Sequence, residues 1–224
     1  MNMPIKAVLF DLGGTLVKTA EIPRIYKRIL KAQGVMVSAD KIFKAHRETE
    51  KNMDVVEGQL SHGKDFWIRW NLRVLKSLGI EENAEFLAKK IDELWWDFAD
   101  LELYPDVIPT LRKLKTRGIK TGIVTNGLES DYQRILEKLR LTDRFEVVVG
   151  VDSCGRAKPS SEIFQCALDE LCVRPEEAIF IGDSIEYDYE GAKNAGLKAL
   201  LIDRDRKETR GKSIRYLNDV LRYI

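Results

Sequence analysis

The sequence predicts an α/β fold, a doubly wound parallel sheet into which an all-helical segment is inserted. Two observations carry this expectation. From Tyr104 onward, short apolar runs alternate with stretches of helical periodicity, whereas from Val17 to Ala99 the periodicity is helical throughout. A further apolar run, Lys6–Phe10, stands alone near the start and must find its strand partners among the later ones.

Lys6–Phe10 is the first strand, a continuous apolar run ending at Asp11-Leu-Gly-Gly-Thr15, as suits a strand covered on both faces. In the insertion, Ile22, Ile25, Tyr26 and Ile29 recur at spacings of three and four. Phe66, Trp67, Trp70, Val74, Leu75 and Leu78 do the same, and so do Phe86, Leu87, Ile91, Leu94, Trp95 and Phe98. No strand pattern interrupts them. All four tryptophans lie here and are read as helix-packing core. Beyond Tyr104, the expected strands are Lys120–Val124, Phe145–Val149, Ala178–Gly182 and Lys198–Ile202. The expected helices between them are Val107–Thr116, Ser130–Leu139, Ser161–Leu171 and Tyr189–Asn194. The chain is thus divided into a Rossmann-like core, residues 1–16 and 101–224, and a helical cap, residues 17–100.

The 224 residues are 44% apolar and 33% charged, against roughly 25% charged in an average globular chain. Thirty-seven basic and 36 acidic side chains leave a net charge of +1, so no global field attracts nucleic acid and no such partner is expected. The longest apolar runs, such as Ala7–Phe10 and Val147–Val151, fall far short of the ~20 residues that span a bilayer. Asp11 also breaks the first of them, which argues against a signal peptide and against a membrane partner. Cys154, Cys166 and Cys172 are odd in number and lack CxxC pairing, so they are read as unpaired thiols in a reducing compartment. A soluble cytoplasmic protein is the expectation.

In an open parallel sheet, ligands bind beyond the carboxyl ends of the strands. Asp11, Gly13, Gly14 and Thr15 follow the first strand, and Thr125-Asn126-Gly127 follow the second. Lys158-Pro159 lie in the loop after the third, and Gly182-Asp183-Ser184 with Asp188 close the fourth. Each alone has a plainer reading as a turn or helix cap. Four in order, each behind its own strand, point to one site. Asp11 and Asp183 would suit magnesium, which takes one or two carboxylates, waters and a phosphate oxygen. Lys158 and the N–H groups around Leu12, Gly13 and Asn126 supply positive charge for a phosphoryl group. A carboxylate is also a competent nucleophile toward phosphorus.

These residues resemble the motifs of the haloacid dehalogenase-like hydrolases. Asp11-Leu-Gly-Gly-Thr15-Leu16 is similar to the first, Thr125-Asn126 to the second, Lys158-Pro159 to the third, and Gly182-Asp183-Ser184 with Asp188 to the fourth. Tyr104-Pro105-Asp106, Gly118-Ile-Lys120 and Glu190–Gly196 also fit, so the resemblance covers the whole chain. It implies a strand order of 5-4-1-2-3, counting Lys6–Phe10 as strand one. It further implies magnesium-dependent hydrolysis of a small phosphorylated metabolite through an aspartyl phosphate. Asp11 would be nucleophile and metal ligand, with the Gly13 carbonyl and Asp183 as further ligands. Asp188 would bind the metal through water or orient Lys158. Thr125 and the Asn126 N–H would hold phosphoryl oxygens, Lys158 would neutralise the transferred group, and the helical cap would close over the site.

Gly13 departs from the pattern. Phosphatases of this family carry an acid–base aspartate there, a function worth typically 10²–10⁴-fold in rate. Three alternatives follow. The first is a phosphatase for good leaving groups, or one that borrows an acid from the cap. The second is a phosphonatase-like C–P hydrolase using a cap lysine, for which Lys44 and Lys51 are the candidates. The third is a catalytically weak member that binds phosphate or a protein partner. A true dehalogenase fits worse, because it would lack the acidic fourth motif. His46 and His62 are read as exposed surface histidines, Lys44 and Lys51 as solvated, and Asp203–Lys212 as a solvated loop.

Overall fold

The computed structural model describes residues 3–205 and 212–224. The chain divides into two compact units, residues 1–18 with 102–224, and residues 19–101. The first unit carries strands β1 (Ala7–Phe10), β2 (Val17–Lys18), β3 (Glu102–Leu103), β4 (Lys120–Val124), β5 (Val147–Val149), β6 (Ala178–Gly182), β7 (Lys198–Ile202) and β8 (Ser213–Ile214). Six of them form one sheet in the order β5-β4-β1-β6-β7-β8, every pair parallel. The central strands β1 and β6 are buried along their whole length, as a parallel sheet covered on both faces requires. The five strands β5-β4-β1-β6-β7 follow the expected order. β8 adds an edge strand whose two residues are too few to show any periodicity.

Register sets the location of the functional edge. Phe10 pairs with Ile123 on one side and with Ile181 on the other. Asp11, Thr125 and Asp183 therefore leave the sheet side by side at its carboxyl edge. β2 and β3 pair antiparallel, Val17 with Leu103 and Lys18 with Glu102, which joins the chain's departure to its return. The sequence reading placed no strand there, again because two residues carry no pattern.

Five helices of this unit are α6 (Val107–Thr116), α7 (Glu129–Lys138), α8 (Val151–Cys154), α9 (Ser161–Leu171) and α10 (Gly191–Asn194), the last continuing a wide π-type turn, Ile185–Glu190. The apolar stripe Ile163, Phe164, Ala167, Leu168 and Leu171 of α9 packs with Leu9, Val149 and Phe180 in one buried cluster. Phe164 meets Phe180 edge-on with ring centroids 5.0 Å apart.

Cys154 at the end of α8 and Cys166 within α9 form a disulfide, which corrects the expectation of three unpaired thiols. The intervening loop folds back so that their Cα atoms lie 6.5 Å apart, within the range a disulfide spans. No spacing rule exposes a pair brought together by a helix–loop–helix return. Cys172 is free and exposed.

The second unit is helical: α1 (Ile22–Ala32), α2 (Ala39–Asn52), α3 (Val55–His62), α4 (Phe66–Ser77) and α5 (Ala84–Phe98). The predicted stripes converge, and Ile25, Tyr26, Ile29, Phe66, Trp70, Leu87 and Ile91 share one core. Trp70 is buried in it, while Trp67, Trp95 and Trp96 pack against it. A buried polar bond crosses this core, with Tyr26 Oη donating to Asn71 Oδ1 at 2.5 Å and Asn71 Nδ2 donating to the Ala88 carbonyl at 3.2 Å. His46 is half-buried rather than exposed. Its ring lies 5.3 Å from Trp70 and 6.3 Å from Tyr26. Burial pushes its pKa down. His62, Lys44 and Lys51 are exposed, as expected. Among the described residues, no helix is long and apolar enough to cross a membrane.

Candidate active site

Asp11 leaves β1 with its N–H donating to the Ile181 carbonyl at 2.8 Å, which holds it at the sheet edge. The turn behind it closes on the Leu12 carbonyl, which accepts from the N–H groups of Leu16 and Val17, each at 3.0 Å. Gly14 N–H donates to the Val17 carbonyl at 2.8 Å. Gly14 has φ +72°, and a Cβ there would run into the Asp183 carboxylate, so only glycine fits. Gly182 similarly lies under the Asp188 side chain. Gly13 meets neither condition, since its φ is not in the left-handed range and a Cβ would enter open space.

Lys158 is the centre of the site. Its Nζ donates to Asp11 Oδ1 and to Asp188 Oδ1, each at 2.6 Å, with only 3% of the lysine side chain exposed. Asp188 is placed by the π-type turn, where its Oδ2 accepts from the Ser184 N–H at 2.9 Å while Ser184 Oγ caps the turn by accepting from Tyr187 N–H. Asn126 and the Lys158 backbone exchange two hydrogen bonds. Thr125 is buried, and its Oγ1 accepts from Gly127 N–H at 3.1 Å, which leaves the hydroxyl proton free to donate. Every predicted site residue, Asp11, Gly13, Thr125, Asn126, Lys158, Asp183 and Asp188, therefore comes from the same sheet edge.

Burial pushes the Asp11 carboxyl up to about 7; Lys158 opposes this, and the charges of Asp188 and Asp183 add to it. Burial also works against the Lys158 ammonium, but the two carboxylates beside it outweigh that and hold its pKa above the ordinary lysine value. Asp183 is the most exposed of the three carboxylates, yet desolvation by the surrounding protein raises its pKa, and the charge of Asp188 adds to this. One oxygen from each of Asp11, Asp183 and Asp188 lies within 4.8 Å of the others. Three carboxylates facing a single ammonium leave an excess of negative charge. An all-oxygen donor set of that charge fits a hard divalent cation.

The sequence profile of the haloacid dehalogenase-like hydrolases matches residues 5–196. The chain belongs to this family. A glyceraldehyde 3-phosphate phosphatase of Methanopyrus kandleri is 33% identical over 202 residues, covering 89% of this chain and 84% of the relative. A phosphoglycolate phosphatase of Aquifex aeolicus is 30% identical, covering 88% and 84%. The crystal structure of a haloacid dehalogenase-like phosphatase from Thermococcus onnurineus superimposes with a TM-score of 0.65 at 31% identity, covering 98% of this chain and 97% of that one. The resemblance drawn from the four motifs is met, and the chain is a haloacid dehalogenase-like phosphatase by family.

Within this family member, two contributions escaped the sequence reading. The Asn126 side chain braces the Lys158 backbone, a role invisible without the loop geometry. Arg204, placed in a solvated loop, is largely buried with 17% of its side chain exposed. Residues 206–211 of that predicted loop lie outside the described residues.

Proposed function

We propose that this hydrolase cleaves small phosphate monoesters by transferring the phosphoryl group to Asp11 and then hydrolysing the aspartyl phosphate. The observation that carries the reading is Lys158 Nζ at 2.6 Å from both Asp11 and Asp188, beside the Asp183 carboxylate. Lys158 occupies Asp11 Oδ1, which leaves Oδ2 to attack phosphorus. The bond from phosphorus to the ester oxygen breaks, and the leaving alkoxide departs with the electron pair. Thr125 Oγ1 and the N–H groups of Leu12 and Asn126 hold the phosphoryl oxygens, while Lys158 offsets their charge. Water then attacks the aspartyl phosphate, releasing inorganic phosphate and restoring Asp11. Asp188 keeps Lys158 extended toward Asp11.

Asp11, Asp183, Asp188 and the Gly13 carbonyl would hold magnesium. That ion supplies neutralisation of the phosphoryl charge as it is transferred. Gly13 offers no proton to the leaving oxygen, so esters with good leaving groups are the favoured substrates. The relatives named for glyceraldehyde 3-phosphate and phosphoglycolate support a small phosphorylated metabolite.

The test is p-nitrophenyl phosphate hydrolysis with magnesium and with EDTA, alongside Asp11→Asn. Turnover that needs the metal and disappears in Asp11→Asn is expected. Turnover in Asp11→Asn at the wild-type rate would overturn the reading.

A further inference from the structure

Arg204 follows the carboxyl end of β7 and reaches back to the turn behind Asp11. Its Nη2 donates to the Thr15 carbonyl at 2.8 Å and its Nη1 to Asp106 Oδ2 at 3.0 Å. The guanidinium lies on the Tyr104 ring, 3.6 Å from the centroid. Asp106 Oδ2 also accepts from the Leu217 N–H at 2.8 Å, and the Tyr104 N–H donates to the Leu16 carbonyl at 3.1 Å. One side chain thus joins the turn 12–15, the returning segment 104–106 and, through Asp106, the C-terminal segment.

A buried guanidinium is retained only where it is paired and stacked. Here its two-pronged donor geometry matches two acceptors on different segments, which a lysine ammonium on a flexible stem would not hold together. The turn it holds has two adjacent glycines, Gly13 and Gly14, and therefore little rigidity of its own. Three backbone hydrogen bonds close that turn, from the N–H groups of Gly14, Leu16 and Val17. To these internal bonds Arg204 adds a tether from outside, at the Thr15 carbonyl, by a residue distant in sequence.

We propose that Arg204 is a positioning residue that fixes the 12–15 turn through the Thr15 carbonyl and so places the backbone groups beside Asp11 for phosphoryl transfer. The catalytic consequence rests on the function proposed above, whereas the tether itself does not. Arg204 touches no reacting atom in this assignment. It acts through Thr15, and its charge also favours the ionised form of Asp183, an effect that Arg204→Lys retains.

The experiment compares Arg204→Met and Arg204→Lys with wild type by residue-resolved amide exchange and by steady-state kinetics on p-nitrophenyl phosphate with magnesium. In Arg204→Met, exchange at Gly14, Leu16 and Val17 should accelerate while Val8–Phe10 and Ile179–Ile181 stay protected. Its kcat should fall about 100-fold, the scale of a small misplacement at a reacting centre, with KM within about two-fold. Arg204→Lys keeps the charge and one hydrogen bond, and should recover about ten-fold of the lost kcat. Wild-type exchange at residues 14–17 in both variants would overturn the proposal, as would loosening that spreads equally through β1 and β6. Local loosening with unchanged kcat would overturn the positioning role as well. If Arg204→Met does not fold, the same readings on Arg204→Lys decide, with about ten-fold lower kcat and local acceleration expected. An inactive wild-type protein would count against the hydrolase assignment alone, because the exchange pattern still decides whether Arg204 holds the turn.

Discussion

Asn126 and Lys158 hold one another by two hydrogen bonds: Asn126 Nδ2 donates to the Lys158 carbonyl at 3.0 Å, and Lys158 N–H donates to Asn126 Oδ1 at 2.7 Å. The pairing fastens the loop between α8 and α9, from which the Lys158 side chain reaches the carboxylates, onto the turn after β4. Asn126→Ala strands a partly buried peptide donor and acceptor, a loss of about 1–3 kcal/mol. It also frees the Lys158 backbone to shift. We expect kcat to drop about 10- to 100-fold with little change in KM. Steady-state kinetics and a thermal melt check this together, and an unchanged kcat would show that the loop holds its position without the amide.

Gly13 is open to substitution. A Cβ there meets nothing within 4 Å, and the backbone is not in the left-handed region, so an aspartate enters without strain. Gly13→Asp is expected to raise turnover most on alkyl phosphates, whose leaving oxygen needs a proton, and least on p-nitrophenyl phosphate. The ceiling is the 10²–10⁴-fold that general acid–base help typically supplies. A plot of rate against leaving-group pKa for both proteins measures this, and parallel slopes would show that another group already delivers the proton.

Much of this site is legible because Asp11, Thr125 and Asp183 each sit one position past an apolar strand, and parallel register converts that spacing into proximity. Asp11, Thr125 and Asp183 need nothing beyond the pairing of Phe10 with Ile123 and Ile181. What stayed hidden depends on loops folding back. The Cys154–Cys166 bond, the Asn126 brace and the burial of Arg204 are contacts between segments whose separation carries no period. His46 departs from the sequence expectation for a related reason, since charged neighbours on α2 conceal that its ring meets Trp70 and Tyr26. β2, β3 and β8 were missed because two residues cannot alternate.

The disulfide encloses the loop that carries Lys158. It closes a separation of 12 residues, for which chain entropy predicts about 3 kcal/mol of stabilisation. For a domain of this size that corresponds to a thermal midpoint roughly 6–12 °C higher than in the reduced protein. Thiol titration of the unfolded, unreduced protein should count one thiol, Cys172, rising to three after reduction. Calorimetry of Cys166→Ser should reproduce the reduced midpoint. A full count of thiols before reduction would show the bond unformed in solution.

Glu177 ties the start of β6 to two cations, Arg174 at 2.9 Å and Lys6 at 2.8 Å, with only 5% of its own side chain exposed. The Arg174 hydrogen bond, followed by that from Lys6, pulls its carboxyl from 4.5 down to about 2 against the effect of burial. The folded value lies below the unfolded one, so the contribution to stability is complete above pH ~4.5 and is lost as pH falls toward 2. Glu177→Gln should therefore be less stable than wild type near neutrality, and the difference should shrink steadily between those two values. Both cations are more than half exposed, so added salt should narrow the gap at neutral pH as well. Urea midpoints at pH 7, 4 and 3, with and without salt, measure it, and a gap independent of pH would show that the ionised carboxylate contributes nothing beyond its shape.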